Sequence, residues 1–219
     1  MTLAGKLISF YSLIFFSFGV VTSSIILSRY PFLHFVLFFL GYIYLIPPFI
    51  FRLHKKIAGS SPRTSEISAP KYSPWWGGYQ IQSIFIAVPS LEGFLRLIPG
   101  CYSFWLTLWG SQIGKSVSWT PTVLVSDRDQ LIIGDNVIIG HQVQLICHFI
   151  RPKKNSLFLT LDAIKIGSNC FIGAGSRIAP GAEIDSGDFL PILSDIYPPR
   201  LKAKSAQQDL LKTEQNIVG

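Results

Sequence analysis

Two uncharged stretches lie end to end at the start of this chain. Lys6 and Arg29 are separated by 22 residues (LISFYSLIFFSFGVVTSSIILS), and Arg29 and Arg52 by another 22 (YPFLHFVLFFLGYIYLIPPFIF). As helices rising about 1.5 Å per residue, each would run about 33 Å, enough for a hydrocarbon layer about 30 Å thick. A signal peptide has a shorter apolar core and is not followed at once by a second span. Windows this uniformly apolar also lack the polar face that a core helix of a soluble domain presents. The expectation is a two-helix transmembrane hairpin over residues 1–56. The connection at Arg29-Tyr30-Pro31 is very short, so a re-entrant wedge in one leaflet is an alternative. Pro47-Pro48 is expected to kink or end the second helix.

The charge pattern agrees with a lipid partner. Only 14% of the 219 residues are charged, against about 25% in a soluble domain. Mean hydropathy is +0.41, which excludes a disordered chain. The net charge of +7 is uneven: Lys6, Arg29, Arg52, Lys55, Lys56 and Arg63 all precede Glu66, the first acid. A nucleic-acid binder gathers its charge on a folded face, whereas here the cations bracket apolar runs, so no nucleic-acid partner is expected. The positive-inside rule places both ends of the hairpin, and everything after residue 52, in the cytoplasm, making this an integral cell-membrane protein. Cys101, Cys147 and Cys170 have no C-x-x-C spacing and read as buried reduced thiols.

Residues 57–74 are rich in Ser, Pro and Ala and read as a linker. The apolar stretch 83–109 is interrupted by Pro89, Glu92, Arg96 and Pro99-Gly100, which argues against a third full span. The segment 57–109 is thus expected to combine a linker with an interfacial helix, or with a helix that covers the end of the next domain.

From Ile113 the sequence acquires a period of six. Ile133, Ile139 and Leu145 are so spaced, as are Ile166, Ile172, Ile178, Ile184, Leu190 and Ile196. The residue after most of these aliphatics is small or turn-forming (Gly134, Gly140, Gly167, Gly173, Ala179, Asp185). Neither the helical nor the strand period produces this pattern. It suits a coil with three flat faces, in which one aliphatic per face points to the axis.

The segments IGDNVIIGHQVQL (133–145) and IKIGSNCFIGAGSRIAPGAEI (164–184) resemble the hexapeptide-repeat acyltransferases, in particular the galactoside, maltose and nodulation-type O-acetyltransferases. The resemblance covers about residues 110–199 and leaves residues 1–109 unaccounted for. It implies an all-β solenoid, a left-handed parallel β-helix over 110–199, preceded by the membrane hairpin and the interfacial helix and followed by a polar tail over 200–219. It also implies a homotrimer that uses acetyl-CoA or another acyl-CoA as co-substrate.

Two interruptions break the period: SDRDQ (126–130) and the longer RPKKNSLFLTLDA (151–163). Loops extruded from a regular scaffold are where sites are built. His148 stands just before the longer loop, at a place of the repeat that should point outward. In the resembling acetyltransferases a catalytic histidine occupies this place. An imidazole titrates near neutrality and can take a proton from a hydroxyl that is otherwise a poor nucleophile toward a thioester. His141, seven residues earlier, is the candidate to orient the acceptor. A zinc site would need three or four protein ligands, and this domain offers two histidines, so no metal is expected.

By the same resemblance the donor lies along the later coils, at Phe171, Gly173, Ala174, Gly175, Ser176, Arg177, Ala179, Pro180 and Gly181. Arg177, Arg200, Lys202 and Lys204 are available to neutralise the phosphates of CoA, or are solvated charges. The terminal LSDIYPPRLK departs from the family's usual G-x-P-A-K run. The expected activity is O-acyl transfer from acyl-CoA to a hydroxyl of a sugar, glycolipid or polyprenyl-linked glycan. The alternative is a non-catalytic membrane-anchored scaffold.

Overall fold

The computed structural model describes residues 2–68, 71–153 and 155–198. The expected tail over 200–219, with Arg200, Lys202 and Lys204, lies outside the described residues. The chain opens with a short helix, α1 (Leu3–Ile8), capped by the Thr2 hydroxyl, which accepts the Gly5 N–H at 3.2 Å. Two long apolar helices follow, α2 (Tyr11–Arg29) and α3 (Phe32–Ala58), separated only by Tyr30-Pro31. They pack side by side. Tyr42 Oη donates to the Phe15 carbonyl at 2.6 Å, and a Cβ at Gly19 would stand 2.7 Å from the Tyr42 ring. Of the two outcomes expected at Pro47-Pro48, an end to the helix does not occur: α3 runs through both prolines and continues for another ten residues.

Both helices are long and apolar enough to cross a membrane. A core helix of a soluble protein would be mostly covered by its own fold. Only 11% and 17% of the two apolar windows are buried, and residues such as Leu13, Ile14, Phe18, Leu33 and Leu37 face outward.

The expected linker contributes a three-residue strand, β1 (Thr64–Glu66). Three helices come next. In α4 (Pro74–Ala87), Pro74 occupies the first turn and Ser73 caps it; α5 (Ser90–Arg96) and α6 (Cys101–Trp109) complete the set. They bury Ile81, Ile84, Phe85, Tyr102, Trp105, Leu106 and Trp109 against Phe51 of α3. Arg52 of α3 donates to the Thr107 and Leu108 carbonyls at 2.8 and 2.7 Å, placing a cation on the C-terminal end of α6.

The remaining strands are short. They are β2 (Gln112–Ile113), β3 (Ser118–Trp119), β4 (Leu124–Val125), β5 (Leu131–Ile133), β6 (Ile138–Ile139) and β7 (Gln144–Leu145). A longer pair follows, β8 (His148–Lys153) and β9 (Ser156–Leu161). The last are β10 (Ile164–Ile166), β11 (Phe171–Ile172), β12 (Arg177–Ile178), β13 (Glu183–Ile184), β14 (Phe189–Leu190) and β15 (Asp195–Ile196). Three parallel four-stranded sheets form, in the orders β13-β10-β5-β2, β14-β11-β6-β3 and β15-β12-β7-β4. The register pairs Ile133 with Ile113 and Ile166, Ile139 with Ile172, and Leu145 with Ile178. These aliphatics are buried apart from the half-buried Ile113, each full burial contributing about 1.5–3 kcal/mol before entropy is counted. The expected loop 151–163 lies mostly in an antiparallel hairpin, β8–β9, to which β1 adds a third strand.

The expected fold class, an all-β left-handed parallel β-helix solenoid, is therefore corrected. The structure combines parallel sheets of two- and three-residue strands with six helices among the described residues, and it is not mostly strand. The physical reasons are local. Left-handed residues at Ser116, Asn136, Gln142, Asn169, Gly175, Gly181, Gly187 and Leu193 turn the backbone after eight of the short strands. The apolar content of residues 1–109 lies in helices, which pack against the first strands through α6 and β2.

Candidate active site

His148 begins β8, directly after the buried Cys147. It does not simply point outward, as the repeat implied: its side chain is 18% exposed because α4 lies over it. The Trp75 ring sits 4.8 Å from the imidazole, centroid to centroid, and Tyr79 meets it edge-on at 5.6 Å. Beneath the ring, His148 Nδ1 lies 2.6 Å from Asp127 Oδ2. Asp127 is buried and also accepts from Trp75 Nε1 at 3.1 Å and Ser126 Oγ at 2.7 Å. A carboxylate only accepts, so Nδ1 carries the donated hydrogen and the Nε2 lone pair is left for a proton from elsewhere. A histidine held this way by a buried carboxylate is chemically suited to taking up a proton at Nε2.

A second buried cluster adjoins the pair. Glu92 of α5 accepts from Arg96 Nη2 at 2.6 Å, from Arg128 Nε at 2.5 Å and from Tyr102 Oη at 3.0 Å. Burial pushes the Tyr102 phenol far up, keeping it a neutral donor. Gln82 Oε1 accepts the Arg128 backbone N–H at 2.8 Å. His148, Tyr79, Arg96 and Arg128 line one cavity of about 250 Å³, whose other walls include Phe85 and Val123. Across Asp127 lies a more polar cleft of about 350 Å³, reached by His54, Lys55 and Asp129. Lys55 Nζ bonds Asp129 Oδ2 at 2.8 Å; burial still holds that carboxyl above its ordinary range.

His141 is exposed and stands apart from His148, its Nδ1 lying 2.8 Å from Thr122 Oγ1. Thr122 lines the His148 cavity, so His141 reaches it only through this hydroxyl. The residues expected to hold the donor follow one another through β11, β12 and the turns after them. Phe171 is exposed and stacks on Phe189 at 5.2 Å. A Cβ on Gly173 would stand 2.4 Å from the Pro191 backbone, so its smallness is needed for packing between successive strands. Gly175 N–H bonds the His141 carbonyl and Ala179 N–H the Ile196 carbonyl, both at 2.8 Å. Ser176 is buried with its hydroxyl between Pro191 and Ser194, while Pro180 and Gly181 are buried and Ala174 is half-buried. Arg177 forms a two-pronged pair with Asp195, which raises the pKa of the guanidinium. Among the described residues, no three or more His, Cys, Asp or Glu side chains converge as metal ligands.

Comparison with models of known protein families, with curated proteins and with solved structures finds no match.

The sequence pointed to His148 but not to Asp127, Trp75, Tyr79, Glu92, Arg96 or Arg128. The signal for Asp127 and Arg128 was the SDRDQ interruption itself, because residues that break a repeat are released from its packing. Nothing in the order of residues announces that α4, 52 residues before Asp127 at Trp75, folds back over the histidine.

Proposed function

We propose that this chain is a membrane-associated O-acyltransferase with His148 as its general base. The observation that carries the reading is the buried Asp127 carboxylate holding His148 Nδ1 at the edge of a cavity. The resemblance of residues 133–145 and 164–184 to the hexapeptide-repeat acyltransferases supports the same chemistry. His148 Nε2 takes the proton of the acceptor hydroxyl as its oxygen attacks the thioester carbonyl of acetyl-CoA or another acyl-CoA. The carbon–sulfur bond then breaks, and the imidazolium returns the proton to the departing CoA thiolate. Backbone N–H groups stabilise the oxyanion between these steps. The donor lies along Phe171 to Gly181. The acceptor is a sugar or lipid-linked glycan presented at the membrane.

The placement follows from the same reading. The α2–α3 pair is integral to the cell membrane, with Lys55, Lys56 and Arg63 holding the rest of the chain on the cytoplasmic side where CoA is found. The outward column Ile138, Phe171 and Phe189 on one parallel sheet supports assembly into a homotrimer.

In a transfer assay with the purified protein, His148→Ala lowers turnover by on the order of 10²–10⁴ while assembly and acyl-CoA binding persist. A correctly assembled His148→Ala protein that transfers acyl groups within a few-fold of wild type would favour the scaffold reading instead.

A further inference from the structure

The cavity beside His148 holds more positive than negative charge. Arg96 and Arg128 are each 2% exposed at the side chain, and Glu92, at 5%, is the one carboxylate bonded to both. Neither Asp127, which accepts from His148, Trp75 and Ser126, nor Asp129, which is bonded by Lys55 and Gln130, lines this cavity. Arg96 also leaves its buried Nε without an acceptor. Two buried guanidiniums facing one carboxylate are costly, and an anion bound in the cavity offsets the excess charge.

The rest of the cavity is apolar, with Phe85, Ile86, Leu124 and Val125 in its walls. It also continues. Pro89, Pro121 and Thr122 line both this cavity and an open groove of about 530 Å³ across α5, floored by Gly93 and flanked by the exposed Phe94 and Leu97. An anion-binding end joined to an apolar trough is complementary to an amphiphile with a charged head.

We infer that the acceptor is a phosphate-bearing lipid, its phosphate bound by Arg96 and Arg128 and its chain laid along the groove over α5. This inference rests on the acyltransferase reading above and narrows its acceptor class. With the phosphate at the guanidiniums, a hydroxyl close to the headgroup falls beside His148, which lines the same cavity. Guanidinium is suited to the task because its fixed fork of donors matches phosphate oxygens.

The test titrates the full-length protein in detergent with three probes: 1-oleoyl-lysophosphatidic acid, monooleoylglycerol and glycerol 3-phosphate. The phosphate-bearing lipid is expected to bind at least about tenfold more tightly than either of the others, as a charge-assisted contact added to an apolar one implies. Arg96→Gln removes the excess charge and leaves the Glu92–Arg128 pair intact. It should bring the two lipids to within about threefold of each other without weakening monooleoylglycerol. Leu124→Trp narrows the cavity without touching the charged cluster and should weaken both lipids together. Equal binding of the two lipids by the wild-type protein would overturn the inference, whatever the variants do. Glycerol 3-phosphate binding as tightly as the phospholipid would overturn it too, by showing that the site takes free phosphate. The catalytic reading fails on a different observable, undiminished acyl transfer by His148→Ala, whose lipid binding should match that of the wild type.

Discussion

At the scale of single residues, the arrangement turns on which nitrogen of His148 holds a hydrogen. Asp127 decides it, because a carboxylate can only accept. Asp127→Asn keeps the shape and reverses the rule: the new amide can donate to Nδ1 and push the hydrogen to Nε2, where it blocks proton uptake. Turnover in the transfer assay is then expected to fall by on the order of 10²–10⁴, with acyl-CoA binding preserved. A fall of less than about tenfold would assign Asp127 to packing alone. The sequence made His148 conspicuous because it sits at a break in a regular pattern. It left Asp127 unmarked as a partner, because a hydrogen bond across 21 positions is fixed by the path of the chain between them.

At the scale of elements, the period-six aliphatics were legible and their neighbours were not. Ile133, Ile139, Leu145, Ile166, Ile172 and Ile178 are all buried, two on each of three parallel sheets, although the three-faced solenoid that the spacing suggested is not the fold. Strand length was not legible, nor was the pairing of Thr64–Glu66 with β9, since three polar residues in a Ser-rich stretch carry no period. The close contact at Gly173 is open to test. A methyl group there meets the Pro191 backbone, so Gly173→Ala should cost about 1–3 kcal/mol in denaturant unfolding. Gly41→Ala, with open space around its Cβ, should be neutral or slightly stabilising, because alanine is the better helix former.

The link between α3 and the SDRDQ segment has a pH signature. Burial raises the Asp129 carboxyl and Lys55 opposes it. In Lys55→Met the opposing charge is gone, so the folded-state pKa rises further above the unfolded one. A raised acid pKa means that the folded state binds the proton more tightly. The variant should therefore be destabilised at pH 7, where the buried carboxylate is charged, and recover progressively as the pH falls through the raised value. Unfolding curves at pH 7 and pH 5 measure it. A destabilisation that is the same at both would separate the effect from Asp129.

At the scale of the whole molecule, the first half of the chain is helical and outwardly apolar, and the second half is sheet. The two apolar windows were plain in the sequence. What composition could not supply was the packing that joins them to the remainder, since it depends on Arg52, Tyr44 and Lys55 meeting carbonyls and a carboxylate between 47 and 74 residues away. On the proposed placement of α2 and α3 in the bilayer, the full chain should stay in the pellet after alkaline carbonate extraction, because apolar burial is not screened by salt or removed by charge reversal. Release into the supernatant would mean that the two helices are held by protein rather than lipid.

The same three contacts carry a mechanical implication. Tyr44 Oη grips the Leu91 carbonyl, Arg52 the end of α6, and Lys55 the segment that carries Asp127. A head on a slack tether would sweep a hemisphere of solution and work at any height within its reach. A head bolted to its anchor at three points works at one altitude above the lipid. In the proposed placement His148 would thus behave as the tip of a fixed-length stylus, and a hydroxyl would be chosen by how far its carrier lifts it from the membrane as much as by its chemical neighbours.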